Sequence, residues 1–171
     1  MAEIKSTLDL IMERTKGLTM TEEEKKALHS RELRGRVKGW VQKCLDGTLD
    51  LVRLQEEIEK GKATEPELLS ALFSELLERI DPDGENDLLF QIMEGVLRRD
   101  AAPLRGLIGG YEAEHAEKTQ AMTVKAKNDL AQRGISGSAV LPNLDRDLQW
   151  KRDREQLKAL YAQRIRSAAE F

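Results

Sequence analysis

The chain contains few of the side chains that most often carry catalysis or cross-linking. Its 171 residues include one cysteine, two histidines and four prolines, and the aromatic residues are three Phe, two Trp and two Tyr. A single cysteine excludes a disulfide within the chain and a cysteine-based metal cluster. Because His29, Cys44 and His115 are scattered along the sequence, no catalytic dyad or triad follows from their spacing. We therefore expect a protein that is not an enzyme and that uses no cofactor.

Long apolar segments are also missing. No run approaches the roughly 20 residues that cross a bilayer. The first residues, Met-Ala-Glu-Ile-Lys, lack the basic and then apolar order of a signal peptide. The scarcity of aromatic residues disfavours an all-β fold, whose strands are rich in them. The sequence predicts a soluble cytoplasmic protein with no membrane contact.

Charged residues, in contrast, are abundant, at 35% of the chain, with 28 bases, 31 acids and a net charge of −3. This content is above the roughly 25% of an ordinary globular chain and favours long solvated helices. Residues 61–110 carry ten acids and five bases, whereas residues 111–171 carry nine acids and eleven bases. No part has the strong basic excess that is typical of a nucleic-acid-binding domain, so a nucleic-acid partner is not expected.

Apolar residues recur at helical spacing through the first two thirds of the chain. Residues 4–12 predict a short helix, and Thr21 with Glu24 predicts a capping box that opens a long one. That long helix places Cys44 on its apolar stripe, as a buried thiol. Residues 49–54 partly alternate and leave a strand as the alternative to a helix there. Residues 64–67, Thr-Glu-Pro-Glu, predict the start of a largely buried helix.

The character of the sequence changes at Tyr111. Residues 112–133 contain no Gly or Pro and carry only a thin apolar stripe, residues 134–144 contain no charge, and Asp145 opens a final helix. We therefore predict an all-α protein, in which a bundle of short helices is followed by a long antiparallel helical hairpin, a coiled-coil-like arm. The predicted domains are 1–110 and 111–171. The glycines at 106, 109 and 110 indicate close helix packing or a hinge between them.

The uncharged residues 134–144, hereafter the tip segment, are the first candidate functional site. Eleven uncharged residues in so charged a chain suggest a loop that contacts a partner protein. The alternative is that they fold back on their own hairpin or pair with a second copy; a phosphate-binding nest is a weaker third interpretation, because the segment lacks a P-loop ending. The candidate contact residues are Ile135, Ser136, Ser138, Val140, Leu141 and Trp150.

A basic stretch of the long helix offers a second candidate, a nucleic-acid interface. Its bases are Arg31, Arg34, Arg36, Lys38 and Lys43. Such an interface needs the bases on one face and an aromatic ring free to stack on nucleobases. Trp40 shares the apolar stripe instead, so we expect it in the core.

A third candidate, a metal-dependent enzyme, rests on Glu112 and His115. Helical diiron proteins use two Glu-x-x-His motifs and two further Glu residues, and this chain has one such motif. We therefore predict no metal site and place both residues on a solvated helix surface. The function that the sequence favours is that of a non-catalytic interaction or scaffold protein, a homo-oligomer whose protein partner the sequence does not identify, because thin apolar stripes on a long arm bury little surface alone.

Overall fold

The computed structural model describes residues 20–168, and the predicted helix over residues 4–12 lies outside them. The all-α prediction is confirmed, because the described part of the chain contains helices and no strand. The strand considered over residues 49–54 is wrong: Asp50 caps a helix there by accepting the Arg53 N–H at 2.8 Å. The helices are α1 (Glu22–Leu45), α2 (Leu51–Lys62), α3 (Leu68–Arg79), α4 (Asp87–Gly95), α5 (Ala102–Gln132) and α6 (Leu148–Ser167).

Helix α1 begins at the predicted capping box. The Glu24 N–H donates to the Thr21 hydroxyl at 3.1 Å, and the Thr21 N–H donates to the Glu24 carboxylate at 2.7 Å. Cys44 is buried on the predicted stripe, and burial raises the pKa of its thiol. Trp40 is half-buried and packs against the edge of the core, with the Arg36 guanidinium 5.5 Å from the centre of its ring.

The main core lies between α1, α2, α3 and α4. Ser30 on α1 lies beside Glu67, just before α3, and Gln42 lies beside Arg79, so α1 and α3 run in the same direction. Burying each large aliphatic side chain stabilises the fold by about 1.5–3 kcal/mol. Fully buried members of this core include Leu33, Val37, Val41, Leu54, Leu68, Leu72, Leu76, Ile92 and Met93.

The turn between α3 and α4 is held by a buried amide. The Asn86 side chain accepts the Asp81 N–H at 3.0 Å and donates to the carbonyls of Asp81 and Gly84 at 2.8 and 2.9 Å. Residues 81–84, Asp-Pro-Asp-Gly, have the composition that favours a turn, so short-range chemistry accounts for it. The helix before it starts later than predicted, at Leu68, because residues 64–67 form turns instead of the first helical turn.

Helices α5 and α6 pack in antiparallel order. The Tyr111 and Tyr161 ring centroids are 5.6 Å apart, and those of His115 and Trp150 are 5.8 Å apart. Close packing, one of the two interpretations of the glycines, applies at Gly110, since a Cβ there would lie 3.4 Å from the Tyr161 hydroxyl. Helix α5 continues unbroken across residue 110, and Ile165 of α6 joins the main core. The division into two domains stays a prediction.

Within the described residues, no other α-helix packs along the far half of α5. From residue 112 to residue 149 the structure buries no residue, and the predicted stripe residues Met122, Ala126 and Leu130 are half-buried. A short 3₁₀ turn at Leu144–Arg146 packs back against α5. Helix α6 therefore begins at Leu148 rather than at Asp145, with its first N–H groups capped by the Asp147 carboxylate.

None of the helices within residues 20–168 combines the length and the apolar character that crossing a membrane requires.

Candidate functional site

The tip segment starts at the C-terminal cap of α5. Gly134 has a φ of 81°, which a residue without a side chain adopts readily. The Gly134 N–H donates to the Ala131 carbonyl at 3.0 Å and the Ile135 N–H donates to the Leu130 carbonyl at 2.9 Å. These two bonds form a Schellman motif, which satisfies carbonyls at the end of the helix. The direction in which the tip segment leaves α5 is therefore fixed.

The candidate contact residues differ in exposure. Leu141 is 85% exposed and Ile135 is 49% exposed, Ser136 and Ser138 are exposed, and Val140 is half-buried. The structure thus presents two large aliphatic side chains to solvent, while the residues that follow the tip segment return along α5. Pro142 and Leu144 of the segment are half-buried as well. Contact of the exposed residues with a partner protein stays a prediction.

Trp150 does not lie at the tip surface. It lies in the first turn of α6, is 6% exposed and packs against His115 of α5. His115 in turn stacks on Tyr111, with 5.7 Å between ring centroids, and its Nε2 is buried without a hydrogen-bond partner in the described structure. The structure gives Trp150 a packing role and corrects the placement of His115, which is half-buried and not on a solvated surface.

A network of charged and aromatic side chains joins α5 and α6 to the turn between α3 and α4. The Tyr111 hydroxyl donates to the Asp83 carboxylate at 2.5 Å. Lys158 contacts Asp81 at 2.7 Å and Asp83 at 3.2 Å, and Arg154 contacts Asp83 at 3.4 Å. Two acids thus face two bases and one hydroxyl. This balanced set fastens α6 to the turn between α3 and α4.

The network shifts the pKa values of its members. Burial alone raises the pKa of Asp83, but hydrogen bonds from Tyr111 and Lys158 and the positive charges of Lys158 and Arg154 together bring it below its usual value. Burial and the hydrogen bond to Asp83 raise the pKa of Tyr111 to about 12. Both shifts favour the charge states that form the bond at neutral pH.

The five bases of the nucleic-acid hypothesis do not share a face. Arg31, Arg34 and Lys38 line a groove between α1 and α3. Arg36 lies on the other side of the buried stripe and holds the Glu65 carboxylate at 2.6 Å with both oxygens in contact. Lys43 is exposed in the last turn of α1. The arrangement therefore offers no continuous basic track.

Glu112 and His115 have no further metal ligands beside them among the residues that the structure describes. Glu112 is exposed, and His115 lies among aromatic rings. In the part of the chain from residue 20 to residue 168, no three His, Cys, Asp or Glu side chains form a group that could hold a metal ion. The described geometry favours no metal-dependent chemistry at this pair.

Comparison of the chain with models of protein families, with curated proteins and with solved structures finds no match.

Sequence reasoning did not foresee the network around Asp83. Tyr111 lies 28 residues from Asp83, and Lys158 lies 77 residues from Asp81. Asp81 and Asp83 carry the composition of a turn, and Lys158 lies in a helix that is rich in charge. Spacing along a single sequence therefore contains no signal for this network, because only the antiparallel return of α6 brings its members together.

Proposed function

We propose that the protein is a non-catalytic interaction protein of the cytoplasm, which forms homo-oligomers and contacts a partner protein through the tip segment. The observation that carries this proposal is the combination of an uncharged segment with Leu141 almost fully exposed at its surface. Single exposed aliphatic residues are ordinary on protein surfaces. Here Ile135 and Leu141 belong to an eleven-residue stretch without any charge, in a chain of which 35% is charged.

The support beneath the segment suits this role. The aromatic contact between α5 and α6 ends at His115, which packs against Trp150. Helix α5 continues for 17 residues beyond His115, a distance of about 25 Å along its axis. The coiled-coil-like pair of α5 and α6 holds the near end of this helix, and the Schellman motif fixes the far end. A partner would meet the segment without first having to order it, which lowers the entropic cost of binding.

Capture of partner proteins tests the proposal. Ile135→Ser and Leu141→Ser are combined in one tip variant, and proteins retained from a cell extract are quantified for immobilised wild type and variant. Removing two aliphatic side chains from an interface weakens binding about tenfold or more, so we expect specific partners to be lost. The molar mass of each protein is measured by light scattering alongside.

A matched control separates the tip from general loss of surface hydrophobicity. Val52→Ser with Val124→Ser changes two valines that are 69% and 53% exposed on helices elsewhere. We expect this variant to capture the same proteins as the wild type. If the tip variant also captures the same proteins and keeps the same molar mass, the tip segment is not the contact site.

A further inference from the structure

The groove between the parallel helices α1 and α3 has walls of opposite charge. The groove holds about 670 Å³. Its charged residues are Arg31, Arg34 and Lys38 on the α1 wall and Glu67, Glu75 and Glu78 on the α3 wall. Glu75 pairs with Arg79 of its own helix. The other five form no salt bridge with any residue of the described range.

The uncharged residues of the groove are mostly small. Gly35, Ser70 and Ser74 are exposed, Ser30 and Ala71 are half-buried, and Leu33 is buried beneath them. A Cβ atom built on Gly35 meets no atom of the described chain within 4 Å. A second surface can therefore come near the backbone of α1 without a clash.

We propose that this groove is the interface through which two copies of the chain associate, each copy docking its groove on that of the other. The proposal deepens the self-association part of the proposed function and does not depend on the tip segment. Such an interface is isologous, because a two-fold axis makes both copies contribute the same surface. The occupant is a second copy because the groove is complementary in charge to itself.

Geometry selects one of the possible two-fold axes. An axis along the groove exchanges its walls, so that α1 of one copy lies over α3 of the other and basic residues face acidic ones. An axis across the groove lays α1 over α1, bases against bases, which is repulsive. The axis along the groove also leaves the position of each residue along the helix axes unchanged. Since Ser30 lies level with Glu67 and Gln42 with Arg79, Arg31 comes near Glu67 of the second copy and Lys38 near its Glu75.

Charge reversal tests the pairing through two complementary variants of the full chain. A basic-wall variant combines Arg31→Glu, Arg34→Glu and Lys38→Glu; an acidic-wall variant combines Glu67→Lys and Glu78→Lys. Each variant alone sets like charges against like, so light scattering should give one chain mass, 19.4 kDa. An equimolar mixture restores opposite charges on both sides and should give twice that mass.

Matched controls keep the test specific. Lys125→Glu, Lys127→Glu and Arg133→Glu make the same change of charge on exposed positions of α5 and its cap, and this variant should stay dimeric. Gly35→Gln adds a long side chain to the α1 side of the groove, at a position where a Cβ meets no atom of the described chain within 4 Å. It should remove the dimer while helix content by circular dichroism stays unchanged. Raising the salt concentration from about 0.05 M to about 0.5 M should lower the dimer fraction, since it shortens the range of the exposed charges.

Several results would overturn the proposal. A monomeric wild type at about 0.1 mM, a concentration at which even a weak dimer of micromolar affinity is populated, excludes the interface. Dimers that persist in both wall variants place self-association elsewhere and leave the proposed function standing. If the equimolar mixture of the two wall variants stays monomeric, the basic wall does not pair with the acidic wall of a second copy. If the tip variant becomes monomeric, the dimer interface lies at the tip segment instead.

Discussion

Two regions of this molecule are both largely helical but are held in different ways. In the bundle, side chains such as Leu72, Leu76 and Ile92 are fully excluded from solvent. Between residues 112 and 149 no side chain is buried, although α5 runs without a break to Gln132. Short isolated helices are marginal in water because starting a helix costs more than extending it. The packed first turns of α5 supply the start, and local bonds suffice to extend it.

The comparison predicts unequal responses to the same kind of substitution. Leu76→Ala removes a fully buried side chain, and we expect it to lower the free energy of unfolding by about 2–5 kcal/mol, since a cavity remains in the core. Met122→Ala, in the half-buried stripe of α5, is the matched change and should cost less than about 1 kcal/mol. Chemical denaturation of both variants and the wild type measures the difference. Equal losses would show that the far half of α5 is as firmly packed as the bundle.

The Tyr111–Asp83 hydrogen bond fastens α5 to the turn before α4, and its removal should have an intermediate effect. Tyr111→Phe keeps the ring stacking but removes the donor, and we expect a loss of about 1–2 kcal/mol at pH 7. The pKa of Tyr111 is raised to about 12 in the folded protein, against about 10 in the unfolded chain. The stabilisation from this hydrogen bond is therefore complete below about pH 10 and disappears as pH rises from about 10 to 12.

Denaturation curves at pH 7, 9 and 11 measure this contribution as the difference between wild type and variant. That difference should shrink at the highest pH. The pKa of Asp83 is lower in the folded protein than in the unfolded chain, where it is about 4. The stabilisation that comes from the Asp83 carboxylate is therefore complete above about pH 4 and is lost as pH falls further. A difference between wild type and Tyr111→Phe that stays constant from pH 7 to 11 would contradict this account of the bond.

The smallest expected effect is at the end of α5. Gly134→Ala forces a side chain into positive φ and should cost about 1 kcal/mol, expressed as fraying of the last turns rather than as unfolding of the bundle. Amide hydrogen exchange near residues 128–135 should become faster, while exchange in α3 stays unchanged. Gly106→Ala, at an exposed position near the start of α5 where a Cβ meets no atom of the described chain within 4 Å, is the control and should not speed exchange anywhere. Unchanged exchange around Gly134 would show that the Schellman motif does not hold the helix end.

Local patterns predicted the helices well where the local chemistry is strong. The capping box at Thr21 and Glu24, the buried stripe that includes Cys44 and the turn at residues 81–84 all follow from short-range rules, and the structure contains each of them. Helix starts were less predictable. Residues 64–67 have the composition of a first helical turn, yet α3 starts at Leu68, the first residue of this region that is fully buried in the core.

The candidate site was predicted only in part. The sequence indicates the tip segment, because an uncharged stretch is visible without a structure, and the exposure of Ile135 and Leu141 agrees with it. Trp150, grouped with them by proximity in sequence, turns inward because the helical period places it on the face of α6 that meets α5. The grouping of Arg31, Arg34 and Lys38 opposite acids required knowledge of which helix lies beside α1.

The sequence by itself determined that the described part of this chain is helical, where its capping box and turns lie, and that its last third carries little apolar surface. Each of these properties depends on residues within a few positions of one another, through helical periodicity, caps and turns. Only the tertiary structure decided the bonds from Tyr111 and Lys158 to the turn at residues 81–84, the burial of Trp150 and the opposed charges of the α1–α3 groove. Those features join residues that are dozens of positions apart, and only the packing of the core brings them together.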